Sequence, residues 1–161
     1  MSRWAGGLAL TATAATLFTT RHGPSVAPDS VTYVSAARNI VDGRGLTDFT
    51  GEPLTVFAPA YPALLSAGER VGIDAFSFAR LMNPLVVGVI VLLAFVLLRR
   101  HVASTWLTVG ATALVAFSSQ LLIIAGYVST DPLFFALTLG FIVVMEDLRA
   151  KPERRCNKAN R

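Results

Sequence analysis

Two acids stand out by position. Asp29 sits in Ala27-Pro28-Asp29-Ser30, shortly after an apolar segment, and Asp131 sits in Ser129-Thr130-Asp131-Pro132, at the start of another. If both apolar segments cross a membrane, the two carboxylates fall at the same face. A carboxylate at such an interface is partly desolvated, which raises its pKa and makes it a stronger base. Two of them together suit a shared proton transfer or a common cation. Each also has a plainer explanation. Asp131-Pro132 reads as an N-cap followed by a first-turn proline, and Asp29 as an N-cap. Asp42, Asp48, Glu52, Glu69 and Asp74 read as solvated loop charges. His22 and His101 are isolated, without a second ligand at metal-site spacing. Neither a Gly-rich phosphate loop nor a Ser/His/Asp pattern is present.

The composition explains why a membrane enters the argument. Of 161 residues, 53% are hydrophobic and only 15% are charged, with a mean hydropathy of +0.58. A soluble domain carries about a quarter charged residues. The charges are also clustered between long uncharged stretches. The net charge of +4 does not indicate nucleic acid, because the excess sits at the ends of apolar segments and in the C-terminal tail rather than on a basic face with aromatics. The single cysteine, Cys156, excludes an internal disulfide. It reads as a bystander thiol in a polar tail.

Four apolar segments can be read as spans: Trp4–Thr20, Leu81–Leu98, Val102–Ala125 and Pro132–Leu148. The first is rich in Ala, Thr and Gly, and at about 17 residues it lies at the lower edge of a span. A cleaved signal peptide is the competing reading, but Pro28 directly follows the only plausible cleavage site, Ser25-Val26-Ala27. The third carries Thr105, Thr108, Thr112, Ser118, Ser119 and Gln120, which suits a helix packed inside a bundle. The fourth has a short clean apolar stretch before Glu146-Asp147. Arg3, Arg99, Arg100, Arg149, Lys151, Arg154 and Arg155 all fall at one face, which makes that face cytoplasmic. Both termini are therefore expected inside, with residues 21–80 and the turn at 126–131 outside, and a basic cytoplasmic tail at 149–161.

The outer loop has its own pattern. Val31, Val34, Ala37, Ile40 and Val41 form a helical stripe, expected to be capped by Asp29 or Ser30 and ended by Gly43 and Gly45. Phe57 to Pro62 should be extended, because a proline disfavours helix at the preceding residue. Pro62 suits the first turn of a helix through Val71, and Asp74 should start another that runs into the second span. These short amphipathic helices are expected on the membrane surface, apolar faces in the interface. The fold class is thus an all-α membrane protein with about four transmembrane helices and an outer loop of short amphipathic helices.

Asp29-x-x-x-Tyr33-x-x-x-Ala37, then Gly43-x-Gly45, then Pro59-x-Tyr61-Pro62, with Ser129-Thr130-Asp131-Pro132-Leu133-Phe134 further on, resembles the N-terminal part of the membrane glycosyltransferases of the C superfold. The bacterial members similar to protein O-mannosyltransferases and lipid A aminoarabinose transferases are meant. The resemblance covers roughly Trp4 to Leu148. It implies an integral protein of the bacterial cell membrane that transfers a sugar from a polyprenyl-phosphate donor to an acceptor at the outer face. It also implies roles: Asp29 as the general base on the acceptor, and Asp131 holding the acceptor, or a divalent cation where the member uses one. Tyr33, one turn from Asp29, would orient it. Arg38 and Arg44 are candidates for the lipid phosphate, with surface charge as the alternative. Tyr61 is a further substrate-binding candidate. Family members have about ten or more spans, so residues 1–148 are expected to be the N-terminal transmembrane portion of such a domain, inactive by itself.

Two other functions compete with this reading. One is a non-enzymatic membrane subunit whose outer loop binds a partner. The other is a transporter fragment, against which no span carries a charge at its centre.

Overall fold

The computed structural model describes residues 3–159, with side chains through residue 150. The basic tail's side chains, Cys156 among them, lie outside that description. Seven helices form among the described residues: α1 (Arg3–Thr19), α2 (Pro28–Val41), α3 (Ala60–Arg70), α4 (Ala75–His101), α5 (Thr105–Ala116), α6 (Ser119–Gly126) and α7 (Asp131–Ala159). No strand forms among them; two isolated bridges do, Ser25 with Tyr127 and Thr47 with Pro53.

The protein is an all-α membrane protein, and α4 is its axis. Helices α1, α5, α6 and α7 all pack on α4, as do α2 and α3 on its N-terminal part. By length and composition, α4 and the 22-residue run Thr105–Gly126 are each able to cross a membrane. At 1.5 Å per residue α1 reaches only about 26 Å, and α7 carries Glu146 and Asp147 inside its length. The chain runs alternately between two ends. Trp4 and Trp106 meet at one end, with ring centroids 6.2 Å apart. Arg100 pairs at that same end with Glu146 and Asp147 of α7, both at 3.1 Å. The other end gathers α2, α3 and the α6–α7 turn.

Small residues let the helices approach. Ala9, Ala12, Val87, Val91, Ala116 and Ala125 form the bundle core, the composition that close helix packing in a membrane requires. A Cβ on Gly88 of α4 would lie 2.6 Å from Thr13 Oγ1 of α1, and that hydroxyl donates to the Pro84 carbonyl at 3.1 Å. Leu10, Phe18, Leu85, Leu107, Leu114 and Phe141 point outward and exposed. A surface so apolar suits lipid rather than water.

Several expectations need correction. The third span is not one helix: it breaks at Phe117–Ser118, where Ser118 turns extended (φ −60°, ψ 120°). Phe117-Ser118-Ser119 is a weak helix-forming run, and serine competes with the helix for backbone partners. The helix that holds the fourth apolar segment runs on past Leu148 to Ala159. Helix α3 starts at Ala60, so Ala60 and Tyr61 are helical rather than extended; the first turn tolerates the following proline because its missing N–H would be unpaired there anyway.

The buried face of α2 is rotated from the expected stripe. Ser30, Tyr33, Val34, Ala36, Ala37 and Asn39 are buried, whereas Val31 and Val41 are 45% and 40% exposed. Tyr33 is the larger apolar body, and its ring packs on Phe57 and Tyr61 at 5.2 and 5.3 Å. The N-cap is Ala27 rather than Asp29 or Ser30, since Pro28 is suited to the first helical position. Ser30 supports the cap by accepting the Ala27 N–H at 3.0 Å. The apolar faces of α2 and α3 are covered by protein: Tyr33, Val34, Ala37, Tyr61, Leu65, Ala75, Ala79 and Val128 make one cluster. Gly43 and Gly45 end the helix as expected, both with φ of 75°, where a Cβ would strain the backbone.

Candidate functional site

Asp29 and Asp131 come together. Both line a single cleft of about 200 Å³ with Ala27, Ile124, Tyr127, Val128 and Ser129. Asp29 is held by the first turn of α2 and Asp131 by the first turn of α7. Two helix N-termini therefore converge on the cleft, each of which favours negative charge. Both acids are exposed at its rim. Neither serves as the N-cap of its helix. Asp131 instead accepts from Ser129 Oγ at 2.9 Å, and Ser129 Oγ accepts the Asp131 N–H at 3.2 Å.

Tyr33 lies behind the two acids. Burial is the main cause that raises its pKa, the Thr130 hydroxyl opposes this, and the charges of Asp29 and Asp131 both add to the rise. One phenol therefore senses both carboxylates. Tyr61 packs edge-on against Tyr33 and is buried at 1% exposure. Its hydroxyl makes no hydrogen bond of standard geometry among the described residues. Burial pushes its pKa upward, which nearby Asn83 and Ser129 offset only in part.

Both arginine candidates are paired with acids of the chain. Arg38 Nη2 donates to Asp74 Oδ1 at 2.7 Å and Arg38 Nε to Glu69 Oε1 at 3.3 Å. The hydrogen bond to Asp74 is the largest cause holding the Arg38 pKa above its ordinary value. Glu69 also accepts the Ala75 N–H at 2.9 Å, and Asp74 caps α4 by accepting from Phe76 N. These acids are therefore parts of a clamp joining α2, α3 and α4, not merely solvated loop charges. Arg44 pairs with Asp42 two residues away. Neither guanidinium lines the cleft of the two acids.

Sequence reasoning missed Asn83 and gave neither Ser30 nor Thr130 a part in the site. Asn83 is 2% exposed, and its amide donates to the carbonyls of Ala125 at 3.2 Å and Tyr127 at 2.7 Å. A lone amide in an otherwise apolar span was the available signal, because such a group must find a partner. Among the described residues no group of three or more His, Cys, Asp or Glu gathers at metal-site distance. Two exposed carboxylates would supply only part of a hard cation's oxygen shell, and waters or a substrate phosphate would have to complete it.

The architecture and the paired acids define an all-α membrane protein with an acidic cleft at one end of its bundle. A family model described as dolichyl-phosphate-mannose-protein mannosyltransferase matches residues 50–159. The chain belongs to this family, and so is a membrane protein of glycosyltransferase type. Tyr61, Asn83 and Asp131 fall within the matched residues, whereas Asp29, Tyr33, Arg38 and Arg44 precede them. No curated protein and no solved structure matches the chain significantly.

Proposed function

We propose that the chain contributes the acidic rim of a membrane glycosyltransferase site, where a sugar passes from a polyprenyl-phosphate donor to an acceptor at the outer face. The observation that carries this reading is the convergence of Asp29 and Asp131, distant in sequence, on one cleft. Asp29 acts as the general base. It takes the proton from the acceptor nucleophile as that atom attacks the sugar's anomeric carbon, and the polyprenyl phosphate leaves with the bonding pair. Asp131, fixed by Ser129, holds the acceptor by accepting a hydrogen bond. Tyr33, a phenol that is neutral at physiological pH, lies near enough for the charges of both acids to raise its pKa further. The cleft end of the bundle faces outward and the arginine-rich end faces the cytoplasm, because basic residues near helix ends are retained inside. The cleft, at about 200 Å³, is smaller than an ordinary small-molecule site of about 300–1,000 Å³. It suits the acceptor's reacting group rather than the donor's lipid, so the clamped Arg38 and the paired Arg44 keep a structural part.

The test uses native membranes from which the chain has been deleted and then restored. Labelled mannose on a polyprenyl phosphate is supplied, and transfer to the acceptor is counted. Wild-type chain should restore transfer. Asp29→Asn should restore donor binding but not turnover, because the amide keeps size and loses the base. Transfer that is undiminished by the deletion, or by Asp29→Asn, would refute the proposal.

A further inference from the structure

Asp131 stands three residues beyond Val128, at the end of a short turn between α6 and α7. The carbonyls at the end of α6 and the start of that turn are claimed by donors from other elements. Asn83 Nδ2 of α4 donates to Ala125 O at 3.2 Å and to Tyr127 O at 2.7 Å. Ser25 N donates to Gly126 O at 2.7 Å. Ser30 Oγ of α2 donates to Val128 O at 2.9 Å. Four successive carbonyls are thus fixed by three donors from two other parts of the chain. Ser30 is fully buried and Asn83 is 2% exposed, so water cannot replace either donor. Ser30 is also the residue directly after Asp29. The hydrogen bond from Ser30 therefore joins the segment bearing one acid to the segment bearing the other.

We propose that Ser30 and Asn83 are positioning residues that set the separation of Asp29 and Asp131, which rests on the reading of those acids as the reacting pair. Neither side chain lines the cleft, so neither touches a substrate there. Their effect passes through the backbone of residues 125–128. Ser30 ties that backbone to α2, and Asn83 ties it to α4. With either donor removed, a buried carbonyl loses its partner and the turn relaxes away. A shift of about 1 Å in a reacting group costs on the order of a hundredfold in rate.

Two arms test this, in the restored native membranes. The first reads geometry without activity. Asp29→Cys and Asp131→Cys are introduced with Cys156→Ser, and a short bifunctional thiol reagent is added. Crosslinking should slow at least severalfold with Ser30→Ala or Asn83→Asp, and Ser30→Thr, which keeps the hydroxyl, should recover the rate. An unchanged rate in both variants overturns the proposal. The second arm uses chains with both acids intact. Ser30→Ala should lower kcat by about 10- to 100-fold with the donor's KM changed less than about twofold, and Ser30→Thr should restore kcat. A loss in KM alone, or no loss, also overturns it. Absence of transfer with the wild-type chain would sink the transferase reading instead, and the crosslinking arm would still decide the positioning claim.

Discussion

Gly68 lies inside α3 where that helix passes α4. A Cβ built there would meet Phe78 Cγ at 2.5 Å, Cδ2 at 2.7 Å and Cβ at 2.8 Å. Ordinary carbon contacts are about 3.5–4.0 Å, so alanine forces the two helices apart by about an ångström. The Phe78 Cβ cannot rotate away as a side-chain tip could. Overpacking costs about 1–3 kcal/mol, and a neighbouring Cβ that cannot move puts this case at about 2–3 kcal/mol. Alanine's better helix propensity offsets about 1 kcal/mol of it. Gly68→Ala should therefore lose about 1–2 kcal/mol net, or roughly 2–8 °C in melting midpoint for a chain of this length. Gly140 in α7 is the internal control. Its nearest atom is Leu93 Cδ1 at 3.9 Å, so Gly140→Ala keeps the propensity gain without the clash. Apparent melting in detergent micelles measures both. A Gly68→Ala chain that melts at or above wild type would refute the close approach of α3 to α4, and with it the clamp of Arg38 on Glu69 and Asp74.

Other outcomes follow from the same structure. A reporter fused after Gly51 should be active only outside the cytoplasm and one fused after Arg100 only inside; the reverse pattern would overturn the proposed orientation. Trypsin outside intact vesicles should spare Arg38, which is helical and tied to two acids; cutting there as fast as in a denatured control would show that α2 is not formed. Tyr33 and Tyr61 have pKa values raised from 10.0, so above about pH 10 the folded chain keeps protons that the unfolded chain releases. Stability should therefore fall as pH rises past 10, and a tyrosinate absorbance titration should show a late component that Tyr61→Phe reduces, leaving the part due to Tyr33. Complete ionisation near pH 10 in the folded protein would contradict that burial.

Much of this was legible in the order of residue types. Long uncharged runs between arginine clusters indicate helices in a membrane, because an unpaired backbone cannot remain in lipid. Gly43 and Gly45 marked the end of α2 through the positive φ that they alone adopt without strain. Asp74 marked the start of α4 through its cap. The pairing of Asp29 with Asp131 at one end followed from counting the crossings between them. Tertiary structure decided which face of α2 is buried. Spacing alone gave a valine stripe, but the ring of Tyr33 found Phe57 and Tyr61, and the larger burial set the rotation. It also decided the fate of the charges. Arg38, a phosphate candidate or a surface charge by its sequence, is tied to Glu69 and Asp74, which the α3–α4 corner brings to it. Asn83 drew no notice in the sequence, and the segment of residues 125–127 that folds over it supplies its partners. Local pattern fixes helix positions because the backbone's needs are local. Partners of buried polar groups are chosen by segments far apart in sequence, and only the folded chain brings those segments together.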